Sequence, residues 1–335
     1  MKNIYDDFSD EIVWIKERIL EDSLALPESV KAVAQYYSSK RILVFLNKEQ
    51  QTIMIDPELG RPIPYVVFWF AEALGLTDKN VAKKLALGLL YATLAYVILD
   101  DIIDEENNPS LLNITLSNIY LYNYLAAFDN LFDTTSSFWH YLADSLKQFM
   151  NNLSEDFTFK HEDHNILGID PFSKQFLFRS CRSYSVLVMT ILVAIAYSTK
   201  NEVKIPMIEQ FWRNYAMAHR LHDDLNDWQE DLKMEDLNHS PILIYALQTY
   251  GEELKLSEEE VLGMFLRDDF VNKIYGVILD MVKAAKEDAS TFNGVYLSRY
   301  MDEQVMFHTK NRNGLLRTNS SFQSELSSIL KKESS

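Results

Sequence analysis

The stretch that decides the fold is residues 85–106, which read LALGLLYATLAYVILDDIIDEE. Its first fifteen residues are apolar, aromatic or glycine except for Thr93, a pattern typical of a buried helix rather than a solvated one. The run ends in the acidic residues 100–106. Because residues four apart share one face of a helix, Asp100 and Asp104 are expected to point the same way.

A second acidic stretch, residues 223–231, reads DDLNDWQED. Asp223, Asp227 and Asp231 are again spaced by four and share a predicted helix face. Carboxylate oxygens are the ligands that Mg²⁺ prefers. A single acidic stretch is more often a solvated face, but two of them beside apolar sequence favour metal binding.

Helical periodicity dominates the whole chain of 335 residues, and Gly (9) and Pro (8) are scarce, so turns are few and helices long. The pattern predicts helices over 10–22, 28–48, 63–75, 79–105, 111–132, 137–153, 172–198, 205–232, 241–250, 257–288 and 295–310. We therefore predict one all-α domain over residues 1–310. The polar residues 311–335 have the composition of a disordered tail.

Charge and cysteine content limit the partners. The formal net charge of −17 disfavours nucleic acid and anionic membranes, which require basic surfaces. The single cysteine, Cys181, excludes an internal disulfide and suits a reducing compartment. No secretory signal is recognisable, and the apolar runs are shorter than the roughly 20 residues of a bilayer span. These features predict a cytoplasmic protein without a membrane span.

Few cations are placed to meet an anionic substrate. Arg179 and Arg182 lie three apart in one predicted helix, and Arg299 precedes Tyr300 beside an aromatic cluster. The planar guanidinium of arginine can donate two parallel hydrogen bonds to phosphate oxygens. Either Arg179 or Arg182 could instead pair with a neighbouring acid.

From about Gly60 to Phe307 the chain resembles the class I terpene synthases, which are related to the trans-isoprenyl diphosphate synthases. Residues 100–104 match the DDxx(D/E) motif of that family, and Asp223, Asp227 and Asp231 occupy the ligand positions of its second motif, although aspartate replaces the usual polar and glutamate ligands. The direct ligation of metal by Asp101 and Asp224 stays open. Arg179 matches the diphosphate-sensing arginine, with Arg182 as the alternative, and Arg299-Tyr300 match the C-terminal RY pair.

The resemblance implies a helical bundle with a central cavity and, in all, three Mg²⁺ ions for which Mn²⁺ can substitute. It implies ionisation and cyclisation of a C15 or C20 prenyl diphosphate with release of diphosphate, which is a carbon–oxygen lyase reaction. Arg179, Arg299 and Tyr300 would act on the diphosphate, and homodimers are frequent in this fold. Tyr96, one turn before Asp100, would lie at the floor of the cavity, but the sequence leaves chain length and product open.

Two other functions stay open. Gly60-Arg61-Pro62 and the reading of residues 223–227 as DDxxD resemble the chain-elongating prenyl diphosphate synthases. That branch needs basic residues for a second diphosphate, yet residues 107–111 read NNPSL and contain no arginine. A non-catalytic helical subunit is the third possibility, which two intact acidic motifs disfavour.

Overall fold

The computed structural model describes residues 4–38, 63–103, 110–161, 168–233, 240–250 and 256–333. These ranges contain helices and turns and no strand, which confirms the all-α prediction. The α-helices are, in chain order, α1 Ser9–Leu24, α2 Glu28–Tyr36, α3 Tyr65–Leu74, α4 Lys79–Ile103, α5 Leu111–Ala126, α6 Phe138–His161, α7 Lys174–Arg179, α8 Arg182–Ser198, α9 Ile205–Lys233, α10 Pro241–Tyr250, α11 Glu258–Phe265, α12 Asp268–Ser290 and α13 Val295–Glu333.

The chain divides into two compact units. Unit 1 comprises Met1–Phe157, Arg182–Trp212 and Glu287–Tyr300, and unit 2 comprises Thr158–Cys181, Arg213–Lys286 and Met301–Ser335. The sequence predicts one domain over residues 1–310. The first acidic motif falls in unit 1, and the second falls in unit 2.

Helix α4 is the centre of unit 1. Its residues 85–95 are all buried, and it packs against α1, α3, α5 and α8. A Cβ atom on Gly88 would lie 2.5 Å from the Cβ of Ala127, so glycine allows the close approach of the chain that follows α5. The apolar run therefore forms a core helix, which ends at the acidic motif.

Aromatic packing forms much of the core of unit 2. The Trp228 ring on α9 stacks on Phe265 at a centroid distance of 5.9 Å, and Phe265 lies 5.2 Å from Phe270. Phe270 in turn stacks on Tyr245 of α10 at 5.4 Å. These contacts hold α9 against α10, α11 and α12.

The predicted helix over 172–198 is two helices, α7 and α8, separated at Ser180 and Cys181. The Ser180 hydroxyl donates to the carbonyls of Phe176 and Leu177, and the Cys181 thiol contacts the carbonyls of Leu177 and Phe178. Such side-chain bonds to the backbone compete with helix propagation. Arg179 and Arg182 consequently lie on different helices, contrary to the prediction.

The polar tail differs from the disordered segment that its composition predicts, because α13 continues through it to Glu333. Arg312 donates two hydrogen bonds to the Asn272 side chain, at 2.9 and 2.6 Å. The Asn319 amide donates to the Phe265 carbonyl at 3.0 Å and to Asp268 at 3.2 Å, at the junction of α11 and α12. Asn319 thus bonds to the last residue of α11 and the first residue of α12, a role that composition does not reveal.

Some predicted features lie outside the described residues. These include Asp104, Gly60-Arg61-Pro62, residues 107–109 and the C-terminal part of the helix predicted over 28–48. Within the described ranges, one helix, α4, is long and apolar enough to cross a membrane, and 67% of its most apolar window is buried inside the protein. Burial of that kind is typical of a core helix.

Candidate metal and diphosphate site

The two aspartates that open the first motif have different surroundings. Asp100 is half-buried in the last turn of α4, whereas Asp101 is 5% exposed. The Tyr37 hydroxyl donates a 2.8 Å hydrogen bond to Asp101 Oδ2. Consecutive side chains of a helix point about 100° apart. The Asp101 side chain faces the core of unit 1, and the Asp100 side chain therefore points away from that direction.

Tyr96, one turn before Asp100, is half-buried, with its ring 5.3 Å from that of Tyr184 on α8. The Tyr184 hydroxyl in turn hydrogen-bonds to Thr93 Oγ1 at 3.0 Å. Tyr96 therefore packs within unit 1, and its predicted role as the floor of a substrate cavity stays a prediction.

The second motif gathers three carboxylates on one face of α9. Ligand oxygens of Asp224, Asp227 and Asp231 lie within 4.8 Å of one another, since residues at i, i+3 and i+7 share a helix face. Asp223 of the predicted set has a different neighbour: its Oδ2 lies 3.0 Å from His219 Nδ1, one turn earlier. Asp223 is half-buried, whereas Asp224 is fully buried.

Asp224 also contacts a second helix. Its Oδ2 accepts a 2.8 Å hydrogen bond from the backbone N–H of Ile242, in the first turn of α10. The first N–H groups of a helix have no partner within the helix, and a carboxylate suits the positive end of the helix dipole. Asp224 thus resembles Asp101, because the second aspartate of each doublet is buried and bonded to a neighbouring helix.

Arg220 adds a positive charge to the acidic face of α9. Burial opposes charge on this guanidinium, but the carboxylates of Asp224, Asp227, Asp231 and Asp223 outweigh it and raise the pKa of Arg220 above its usual value. Because four carboxylates act on one guanidinium, the net charge of this group of side chains is negative. Neither Arg220 nor His219 is among the site residues predicted from the sequence, although Arg220 lies four residues before Asp224 and His219 four residues before Asp223, which is a usable signal.

The donor set fits a hard divalent cation. Burial raises the pKa of Asp224 to about 7, against the opposing field of Arg220, and raises the pKa of Asp227 to about 6. Oδ1 of each of these two residues is buried and has no hydrogen-bond donor among the described residues. Buried carboxylate oxygens without donors are costly, and a bound cation would satisfy them.

Arg179 and Arg182, the two arginines that could bind diphosphate by the sequence prediction, have different surroundings. Arg182 lies 2.7 Å from Glu155 Oε2 and 3.2 Å from Asp156 Oδ1, with 17% of its side chain exposed. Arg182 is therefore held by an acid pair, as the structural alternative predicts. Arg179 is half-buried at the end of α7.

The Arg299-Tyr300 pair lies in the first turns of α13. The Glu72 carboxylate accepts hydrogen bonds from the backbone N–H of Val295, at 3.3 and 3.1 Å, at the start of this helix. The Tyr300 ring is 3% exposed and lies 4.7 Å from Trp69. Tyr300 is a core residue of unit 1, and Arg299 is half-buried beside it.

A cavity of about 320 Å³ in unit 1 contains none of the predicted site residues. It is lined by residues of α1, α3, α4 and α13, among them Glu11, Phe68, Lys79 and Tyr296. Glu11 and Lys79 form an ion pair of 2.9 Å there. We assign this cavity no function.

No protein-family model and no curated protein matches this chain. Solved structures do match it. A polyprenyl synthase from Caulobacter crescentus CB15, complexed with calcium and isoprenyl diphosphate, is 13% identical with a TM-score of 0.67, over 91% of this chain and 96% of that one. A decaprenyl diphosphate synthase from Rhodobacter capsulatus is 10% identical with a TM-score of 0.64, over 92% and 98%.

A geranylgeranyl pyrophosphate synthetase from the archaeon Geoglobus acetivorans is 16% identical with a TM-score of 0.63, over 90% of this chain and 98% of that one. At such identities the likeness shows the fold. The chain has the all-α fold of the isoprenyl diphosphate synthases.

Proposed function

We propose that this protein is a divalent-metal-dependent enzyme that removes diphosphate from an allylic prenyl diphosphate. The observation that carries the proposal is the carboxylate cluster on α9, in which Oδ1 of Asp224 and Oδ1 of Asp227 are buried and have no hydrogen-bond donor among the described residues. The fold supports the proposal, since one solved structure with that fold contains calcium and isoprenyl diphosphate.

Metal ligands are proposed within each motif. In the first motif these are Asp100 and Asp104, and in the second they are Asp223, Asp227 and Asp231. Asp101 and Asp224 are proposed as anchors that fix each motif to a neighbouring element. Asp224 anchors through Oδ2, and its Oδ1 is proposed to contact the metal beside Asp227 and Asp231. When bound, Mg²⁺ neutralises the negative charge that develops on the departing diphosphate.

Arg179, Arg299 and Tyr300 are proposed to bind diphosphate oxygens. Arg179 is preferred to Arg182 because the Arg182 guanidinium already bridges Glu155 and Asp156. Preorganised donors of this kind stabilise developing charge most effectively where water is excluded.

Two fates of the resulting allylic cation are supported by different observations. The similar solved structures are of enzymes named as prenyl diphosphate or polyprenyl synthases, which favours chain elongation over cyclisation. The sequence favours cyclisation, because residues 107–111 contain no arginine for a second diphosphate. Both fates begin with the same departure of diphosphate.

The test is an incubation of the purified protein with farnesyl or geranylgeranyl diphosphate and Mg²⁺, with and without isopentenyl diphosphate. A hydrocarbon or alcohol formed without isopentenyl diphosphate indicates cyclisation. A longer prenyl diphosphate formed only in its presence indicates elongation. Asp227→Asn should lose either reaction, whereas Asp280→Asn, at an exposed position on α12, should retain it. No product with any of these substrates would favour the non-catalytic subunit.

A further inference from the structure

A directed chain of hydrogen bonds ends at Asp101. The Ser110 hydroxyl and backbone N–H donate to Asn113 Oδ1, at 2.8 and 3.2 Å. The Asn113 amide donates to the Tyr37 hydroxyl at 3.1 Å, and Tyr37 donates to Asp101 Oδ2 at 2.8 Å. Each donor thus points to the next residue, and the final acceptor is a carboxylate.

The members of this chain are buried. Tyr37 is 1% exposed, Asp101 5% and Asn113 6%. Hydrogen bonds in such surroundings are stronger than in water and polarise one another, and a carboxylate acceptor strengthens the bond that it receives. Burial and the Asp101 carboxylate raise the pKa of Tyr37, so its phenol keeps the proton that it donates.

These hydrogen bonds connect the C-terminal end of α4 to the N-terminal end of α5. In the sequence, the last residues of the first acidic motif lie between these two helix ends. Asp101 lies in the last turn of α4, and Ser110 is the N-cap of α5, where it forms a capping box with Asn113. Tyr37, which directly follows α2, links them. Because Asp100 shares its helical turn with Asp101, any rotation or fraying of that turn would move the Asp100 carboxylate.

We propose that Tyr37 is a positioning residue for metal binding: by holding Asp101 and, through Asn113, the start of α5, it fixes the orientation of Asp100. This inference rests on the proposed function, because it takes Asp100 to be a metal ligand. The alternative is that Tyr37 contributes only to the packing of α2 against α5.

The test compares Tyr37→Phe with Tyr91→Phe. Tyr91 is a matched control, because it lies on α4 in the same unit and its buried hydroxyl also donates to a carboxylate, that of Asp22. Mn²⁺ binding is measured by electron paramagnetic resonance without substrate. The first-motif component is defined as the binding that Asp100→Asn removes.

We expect Tyr37→Phe to weaken that component about tenfold, as is typical for loss of an outer-shell partner, and Tyr91→Phe to leave it within twofold of wild type. In a double-mutant cycle, Asp101→Asn should add little to Tyr37→Phe, because both act through one contact. Melting temperatures establish that each variant is folded. If Tyr37→Phe does not fold, Asn113→Ala should weaken the same component.

Equal Mn²⁺ binding by wild type and Tyr37→Phe would overturn the inference, as would an equal loss in Tyr91→Phe. A further full loss on adding Asp101→Asn would also overturn it, since Asp101 would then be a ligand. If Asp100→Asn removes no component, the first motif binds no metal in the absence of substrate and the inference is overturned, whereas the proposed function is judged separately by diphosphate release in wild type and in Asp227→Asn.

Discussion

Asp224 on α9 accepts a 2.8 Å hydrogen bond from the backbone N–H of Ile242 at the start of α10. The doublet of the second motif is therefore divided between a buried anchor, Asp224, and a half-buried neighbour, Asp223, whose Oδ2 lies 3.0 Å from His219 Nδ1. Asp101, held by Tyr37, repeats the arrangement in the first motif. This division leads to the first prediction.

Asp223→Asn should weaken Mn²⁺ binding at least tenfold with little change in melting temperature, because it removes a ligand charge from a half-buried position. Asp224→Asn should lower the free energy of unfolding by about 1–3 kcal/mol, since it weakens a buried cap and leaves Arg220 with less compensating charge. Metal titration measures the Mn²⁺ affinity of both variants, and thermal unfolding measures their stability. A large stability loss in Asp223→Asn with none in Asp224→Asn would reverse the two roles.

The two candidate sensors should respond differently to lysine. Arg179→Lys should lower kcat by about one to three decades, because lysine keeps the charge but loses the fork that binds two phosphate oxygens. Arg182→Lys should instead reduce stability by about 1 kcal/mol, since one ammonium cannot bridge Glu155 and Asp156 as the guanidinium does. Steady-state kinetics and denaturant unfolding separate these effects. Normal kinetics in Arg179→Lys, with the loss in Arg182→Lys, would move the sensor to Arg182.

Tyr96→Ala tests the chain-length prediction. If Tyr96 limits the substrate cavity, the variant should shift the ratio of kcat/KM for C20 over C15 substrates towards C20. If the ring only packs against Tyr184, the ratio should stay constant while stability falls by up to about 3–5 kcal/mol, the range for a buried aromatic. Measuring both quantities on one preparation distinguishes these outcomes.

His308 predicts a dependence of stability on pH. It is 3% exposed and lies 5.0 Å from His222, ring centroid to centroid, and burial, with the nearby His222 and His219, lowers the pKa of His308 to about 3. The unfolded chain therefore binds a proton below about pH 6.5 that the folded chain does not bind, so stability falls as pH falls from about 6.5 towards 3.

Between pH 7.5 and 5.5 this one group should cost about 1.4 kcal/mol of unfolding free energy. Denaturant unfolding of His308→Gln should show a pH dependence smaller by about that amount. His140→Gln, at an exposed position on α6, is the matched control and should behave as wild type. An unchanged pH dependence in His308→Gln would contradict the assignment.

Gly294 allows α3 and the start of α13 to come together. A Cβ there would lie 2.5 Å from the Ala73 Cβ and 3.3 Å from the Ala73 Cα, so Gly294→Ala should destabilise the protein by about 1–3 kcal/mol. Gly276→Ala, on α12, meets no atom within 4 Å and should be neutral or stabilising by up to about 1 kcal/mol. Equal melting temperatures for the two variants would show that the contact is not tight.

The sequence predicts the helices well where apolar periodicity is continuous, as in α4 and α10. The prediction of helix boundaries fails where individual side chains end a helix. Hydrogen bonds from the Ser180 and Cys181 side chains to backbone carbonyls separate α7 from α8. Composition does not predict the helix over the tail for a similar reason, since Asn319 bonds to residues 54 and 51 positions away in the sequence.

In the candidate site, helical spacing identifies Asp227 and Asp231, and it could also have identified Arg220. Spacing cannot identify Tyr37, which is 64 residues from Asp101 and meets it only because α2 packs against α5 and α5 against α4. The choice between Asp223 and Asp224 likewise depends on contacts with α10, which lies 18 residues further along the chain.

The most direct test of the central claim is the release of inorganic diphosphate from farnesyl or geranylgeranyl diphosphate in the presence of Mg²⁺. The account predicts release by the wild type that stops on addition of excess chelator, resumes when Mg²⁺ is restored, and is absent in Asp227→Asn. Release that continues in chelator, or at the wild-type rate in Asp227→Asn, would contradict it.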